Sequence, residues 1–318
     1  MRVLIAWGVA FFNAAHYFLF RLRLAPQPQF RHYPTHWRPW LGSLLGWPRT
    51  LRVRFAERCP QGGPAVFVAN HLKLDDPLFL WGAVDEATSG RLHIFFMMRD
   101  DFFRGWPWDY LPFSLNELTA SAGCIQISRD QISLSQLKPF MQLLEQSESF
   151  VMFPGRTRSR SGLCIEYRDG IDEPGGVSFF LANGGRRAGR AIPAVPLART
   201  FNPVTGVSVV AVGEPRYLDT TTGREGQRSF DLDLAVTVSS LTEIHALHVV
   251  SMLLYLCCLH GRPAGTAASL VEDTGAVLAA VRDTHVVDPA ALADTPGEVR
   301  AALRWLAQAG MLRLAGEQ

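Results

Sequence analysis

Several features of common protein classes are scarce or missing in this chain. Its 318 residues hold only five cysteines, Cys59, Cys124, Cys164, Cys257 and Cys258, with no CxxC pair and no framework spacing. A disulfide scaffold is excluded; the cysteines read as reduced thiols, mainly small buried hydrophobes. Charged residues make up only 19% of the chain and apolar ones 48%, which excludes disorder as a description of the whole. There is no internal repeat, no low-complexity tract, no Walker loop and no GxSxG elbow, so those catalytic classes have no support. Acid is nearly absent from residues 1–58, where Glu57 alone faces nine arginines.

The same 58 residues carry four of the eight tryptophans, Trp7, Trp37, Trp40 and Trp47. Arginine and tryptophan among apolar residues suit a membrane interface. Nucleic acid is the rival partner, but Met1–Leu24 is too apolar for a basic DNA-binding arm, and no nucleic acid is expected. Val3–Phe20 is apolar apart from Asn13 and His16. As a helix it spans about 27 Å at about 1.5 Å per residue, marginal for a bilayer core of about 30 Å. No small-residue cleavage site follows it. It reads as an uncleaved anchor or a helix in one leaflet, with a packed core helix as the alternative. Trp37–Trp47, broken by Pro39, Gly42 and Gly46, is too short to span and suits the interface.

From about Leu51 the pattern alternates. Ala65–Ala69, Leu92–Met98, Cys124–Ser128 and Ser149–Phe153 suit buried strands. Ala191–Ala198 and Val207–Val212 also read as strands, the first placed at an edge or bulge by Pro193 and Pro196. Helices are predicted over Pro77–Val84, with Asp76 as N-cap and Pro77 at the first position, and over Val177–Ala182. Another covers Pro139–Gln146, where the proline argues against extension upstream. The alternation implies an α/β fold with a mixed, largely parallel sheet flanked by helices, its ligands beyond the carboxyl ends of strands. Ser240–Glu243 and Thr295–Glu298 read as capping boxes, the first ahead of an apolar stretch to Leu259, the second opening a helix that Gly310 ends. The expected organisation is an N-terminal membrane-associated helical segment (1–50), an α/β domain (51–216), a boundary loop (217–225) and a small, mostly helical C-terminal domain (226–318).

Two segments fall at strand ends. In Asn70-His71-Leu72-Lys73-Leu74-Asp75-Asp76-Pro77, an imidazole stands five residues before a carboxylate. Such a base takes the proton of an attacking hydroxyl, worth roughly 10²–10⁴ in rate, while a carboxylate on its other nitrogen fixes the tautomer. Asp75 is as close in sequence, but Asp76 is the expected partner because its place before Pro77 orients it. In the second segment, Phe153 to Gly162, Arg156, Arg158 and Arg160 alternate with Thr157, Ser159 and Ser161. Guanidinium forks and hydroxyls suit phosphate oxygens, and Gly155 and Gly162 allow tight turns. Arg129, after the 124–128 strand, stands to join from a neighbouring strand end. The bland alternatives are an ordinary loop histidine, an aspartate cap and a solvated basic loop.

Together these residues carry a family likeness. Asn70 to Asp76 resembles the Asn-His-four-residue-Asp motif of the glycerol-phosphate and lysophosphatidate acyltransferases. Gly123-Cys124-Ile125-Gln126-Ile127-Ser128-Arg129 resembles their second block, Phe153 to Gly162 their third, and Ala191-Ile192-Pro193-Ala194-Val195-Pro196-Leu197 their fourth. Met98–Phe113 fits the segment between the first two, and the likeness covers roughly Leu51–Gly213. The resemblance implies an enzyme of phospholipid synthesis that moves a fatty acyl group from acyl-CoA or acyl-carrier protein to a phosphorylated glycerolipid acceptor. In it His71 is the base and Asp76 its partner, with Arg129 and Arg158 on the acceptor's phosphate and Arg156, Thr157, Ser159 and Arg160 completing that site. It implies no metal and no bound cofactor, and membrane association at the cytoplasmic face. Gly155-Arg156 departs from the pattern, where the family usually has glutamate and glycine. The departure leaves three readings: another acid, such as Glu166 or Asp169, replaces the glutamate; the acceptor differs; or a weak or silent relative binds anionic lipid or scaffolds a complex. A thioester hydrolase is a further, weaker alternative.

Overall fold

The computed structural model describes residues 15–16, 18–20, 22–25, 50–99, 119–120, 123–128, 134–155, 158–159, 162–164, 176–263 and 265–313. Most of the apolar segment 3–20, all of 37–47 and most of 98–113 lie outside them, as do Glu166 and Asp169. Among the described residues no helix is long and apolar enough to cross a membrane.

Among the described residues eight strands form one mixed sheet: β1 (Thr50–Arg54), β2 (Val66–Ala69), β3 (Ile94–Arg99), β4 (Cys124–Ile127), β5 (Ser149–Met152), β6 (Pro193–Asn202), β7 (Val207–Val212) and β8 (Arg216–Tyr217). The order is β1-β7-β6-β2-β5-β3-β4, with β8 also on β6. Strands β6, β2, β5, β3 and β4 run parallel. β7 and β8 run against β6, and β1 follows β7. Alternate side chains of the central strands feed two cores, as a period of two requires. Phe67, Ala69 and Val151 pack under α1 (Asp76–Thr88) through Leu80, Ala83 and Val84. Val66, Val68 and Phe150 face three helices on the other side, α2 (Leu134–Glu145), α3 (Val177–Ala188) and α4 (Arg224–Ser240). There Phe140, Phe150 and Phe180 meet edge to face, with centroids 5.1–6.0 Å apart.

The structure corrects several details. α2 begins five residues before Pro139, not at it. A helical proline costs about 3 kcal/mol, but burying Phe140, Met141, Leu143 and Leu144 contributes roughly 1.5–3 kcal/mol each. β6 is interior, not an edge, yet the bulge is there. Its pairing with β7 ends at Leu197↔Val212 and that with β8 begins at Ala194↔Arg216, so two residues face three. Pro196 sits in that gap, where a missing donor breaks no ladder bond. The 240–243 segment is no capping box. Ser240 ends α4, its hydroxyl donating back to the Thr237 carbonyl, and the next helix, α5 (Ala246–Leu259), begins after His245. Three more helices follow: α6 (Ala267–Val281), α7 (Pro289–Ala293) and α8 (Thr295–Gln308). α8 is the predicted helix, but its cap is Asp294, which accepts from the Gly297 N–H at 2.9 Å. Gly310, at φ 72°, follows its end.

The C-terminal helices share their own cores, one around Leu247, Val250, Leu270 and Leu303 and one around Val249, Leu278 and Val287. Glu243 ties the start of this region to the sheet. Its buried carboxylate pairs with Arg54 of β1 at 3.1 Å, and its N–H donates to Thr200 Oγ1 of β6. Burial pushes this carboxyl up, Asp288 adds to the effect, and Arg54 opposes it.

α3 has no side-chain cap of its own. Asp231 of α4 supplies one across the helix pair, accepting from Ser178 N–H at 2.8 Å and Ser178 Oγ at 2.7 Å. Burial pushes this carboxyl up to about 6, against the pull of the two Ser178 bonds. The folded state therefore binds the proton more tightly than the unfolded chain. Its contribution to stability falls as pH rises from about 4 to about 6 and is level above. Asp231→Asn removes this term. In urea unfolding, the stability of the variant relative to the parent should climb between pH 4 and 6.5 and then flatten; a constant difference would contradict the assignment.

Candidate active site

β2 ends at Ala69, paired with Leu197, and the buried Asn70 side chain continues the ladder in place of backbone. Its Oδ1 accepts from the Arg199 N–H at 2.8 Å, and its Nδ2 donates to the Arg199 carbonyl at 3.0 Å and the Gly162 carbonyl at 3.1 Å. His71 is thereby set at the carboxyl end of a central parallel strand, and the chain turns into α1.

The structure brings His71 and Asp76 together: Nδ1 lies 2.7 Å from Asp76 Oδ2. The same oxygen accepts from the N–H groups of Leu72 and Lys73, so the carboxylate closes the turn that carries the histidine. The expected reason for this pairing needs correction. Asp75, not Asp76, is the N-cap residue, and Asp76 and Pro77 are the first two helical residues. Asp75 caps no helical N–H with its side chain, because that carboxylate is engaged elsewhere.

Its partner is Arg199 of β6, a residue that sequence reasoning missed. Arg199 is 1% exposed. Nη1 lies 2.7 Å from Asp75 Oδ1 and 2.6 Å from Asp76 Oδ1, Nη2 contacts Asp75 Oδ2 and Ser208 Oγ, and the guanidinium lies 3.7 Å from the Phe79 ring centroid. The available signal was an arginine inside an apolar strand, since a buried charge requires a counter-charge.

β5 lies beside β2, and the chain leaving it folds back on the histidine. Phe153 stacks on the imidazole at 4.5 Å between centroids. The Ser159 N–H donates to the His71 carbonyl at 2.6 Å, and Ser159 Oγ accepts from Gly162 N–H at 2.9 Å. Gly162 adopts φ 89°, a conformation that favours glycine. Ser159 is thus buried and ties the loop to the base, while Arg158 beside it is exposed. Arg129, Arg156, Thr157 and Arg160 lie outside the described residues. The strand that leads to Arg129, β4, pairs with β3, two places from β5 and not next to it. Lys73, also passed over by sequence reasoning, is exposed beside the dyad, its Nζ 4.2 Å from the Phe201 ring centroid.

With Nδ1 held by carboxylate, Nε2 is the nitrogen left for a substrate proton, and the His71 side chain keeps 23% exposure for contact. This is the arrangement of a general base with an orienting acid. Thiolate chemistry has no comparable centre at Cys59, Cys124 or Cys164, whose thiols burial pushes up to about 12. Burial, aided by charge repulsion from the neighbouring His248 and opposed by a hydrogen bond with the Phe201 backbone, pushes His245 down to about 3; it stays neutral across the physiological range.

Residues 50–174 match the sequence model of the family described as Acyltransferase. No curated protein matches the chain. Among solved structures, the chain is similar to the 1-acyl-sn-glycerophosphate (LPA) acyltransferase PlsC from Thermotoga maritima, at 16% identity and a TM-score of 0.43, over 74% of this chain and 95% of that one.

Asn70→Ala leaves the N–H and carbonyl of Arg199 without their side-chain partner in a buried place. At about 1–3 kcal/mol for each of the two stranded groups, urea unfolding should show a loss of roughly 2–6 kcal/mol. A loss under about 0.5 kcal/mol would mean that the amide does not hold the two strands.

Proposed function

We propose that this chain, with residues 50–174 in the likeness of the Acyltransferase family, is a membrane-associated O-acyltransferase. It moves a fatty acyl group from the thioester of acyl-CoA or acyl-carrier protein to the hydroxyl of a lysophosphatidate or glycerol-phosphate-type acceptor. The observation that carries this reading is the His71–Asp76 pair, joined through Ser159 to an arginine-bearing loop at adjacent parallel strand ends.

His71 Nε2 takes the acceptor's hydroxyl proton as the oxygen attacks the thioester carbonyl. Asp76 holds the ring through Nδ1 and stabilises the imidazolium that forms. The tetrahedral intermediate collapses with loss of the thiolate, which recovers the proton from His71, giving the ester and free thiol. Arg158 and Lys73 supply cationic groups near the base for the acceptor's phosphate, with Arg129, Arg156, Thr157, Ser159 and Arg160 as the further expected contacts. No metal and no bound cofactor enters these steps; the donor is a co-substrate. The arginine- and tryptophan-rich segment before residue 50 supports attachment to the membrane where such acceptors reside, at the cytoplasmic face.

The test incubates purified protein with both donor types and a panel of lysophospholipids and glycerol 3-phosphate, and reads products by mass spectrometry. His71→Ala should lower turnover at least a hundredfold, on the scale of general-base catalysis, with an unchanged unfolding midpoint. Near-normal turnover in that variant would sink the mechanism, and the absence of any acylated product would sink the reading as an enzyme.

A further inference from the structure

Behind the dyad stands a charge arrangement that the proposed reaction does not by itself require. Two adjacent carboxylates, Asp75 and Asp76, converge on one buried guanidinium at 2.7 and 2.6 Å. Asp76 divides its oxygens, Oδ1 to Arg199 and Oδ2 to His71. If Arg199 faced Asp76 alone, the two charges would cancel and His71 would look toward a neutral pair. Asp75 alters that balance: two carboxylates against one guanidinium leave one net negative charge beside the imidazole, which becomes neutral overall when His71 takes a proton.

We propose that Asp75 and Arg199 are positioning residues for the base, Arg199 fixing Asp76 so that Oδ2 meets His71, and Asp75 restoring the negative charge that Arg199 would otherwise cancel. The inference rests on the reading of His71 as a general base. Among the described residues, these charged side chains flank the turn that carries the ring and the strands beside it. Lys73, Asp75 and Asp76 come from its own turn and α1, Arg199 from β6 and Arg158 from the segment after β5. Glu243, adjacent through Thr200, is taken up by Arg54. Lys73 and Arg158 are exposed, so solvent and salt screen them. Asp76 and Arg199 are fully buried and Asp75 keeps 16% exposure, so their field reaches the imidazole with less loss than that of the exposed cations.

Asp75→Asn keeps the size of the side chain and removes its charge. Turnover should fall about 10- to 100-fold with KM nearly unchanged, the range found for outer partners that orient a histidine at metal sites. The acidic limb of the kcat/KM profile should move to lower pH, and Asp75→Glu should restore part of both. Arg199→Met alone strands two carboxylates and endangers folding, so the double variant Asp75→Asn/Arg199→Met forms the second arm. Its unfolding midpoint should exceed that of Arg199→Met. A readout independent of turnover is the pH titration of the His71 ring by NMR in protein carrying ¹³C-labelled histidine. A lower midpoint in Asp75→Asn supports the pair even if no acyl acceptor is found, a result that would reject the function and leave the charge arrangement standing. Equal midpoints, or unchanged turnover and pH profile in Asp75→Asn beside an inactive His71→Ala, overturn the proposal.

Discussion

The amide of Asn70 is the joint on which the site depends. A parallel ladder ends where its shorter strand ends, and the longer neighbour then carries unpaired N–H and C=O groups that must find partners when buried. β2 stops at Ala69 while β6 continues to Asn202. Asn70 meets the first exposed pair of groups on β6 with its own oxygen and nitrogen, and spends its second N–H on Gly162. One side chain thus joins β2, β6 and the segment after β5. His71 follows directly and inherits that rigidity. An alanine or leucine there would leave the histidine on a frayed strand end.

Buried charge is the second constraint. Arg199 is held by two carboxylates, a hydroxyl and an aromatic face, and Glu243 by Arg54 of the edge strand β1. Such groups are costly when unpaired and add little net stability when paired, so their value lies in geometry. Around Arg199 that geometry is an aspartate with each oxygen committed to a different partner.

The parts of this architecture that were legible in the sequence are those governed by local pattern. Apolar runs marked the central strands, and the five-residue spacing from His71 to Asp76 anticipated their meeting. The parts that were not legible depend on long-range partners. Asp76 looked like a cap because it precedes Pro77, but Arg199, 123 residues away, takes its Oδ1 together with the Asp75 carboxylate, and Oδ2 alone closes the turn on His71. Ser240 looked like a helix start because serine often is one, yet α4 arrives from upstream and ends there. Pro139 looked like a boundary, and tertiary burial outweighed the lost bond. Asp231 as the cap of α3 belongs to a different helix, and nothing near Ser178 in sequence announces it.

The bulge opposite Val195 and Pro196, and the antiparallel pairing of β6 with β7 beyond it, also shape the ground on which the site stands. Beyond Leu197, β6 keeps its β7 edge paired while β2 has ended on the other side. Five residues at about 3.3 Å each rise past the sheet floor as a wall roughly 16 Å tall, braced from behind by Glu243 on Thr200. A purely parallel sheet offers a shallow trough at its strand ends. Here one bank is raised, and it carries Arg199, on the flank where His71 already has its carboxylate. With Nδ1 turned to Asp76 on that flank, the ring nitrogen left free for a proton is the one on the side away from the raised bank.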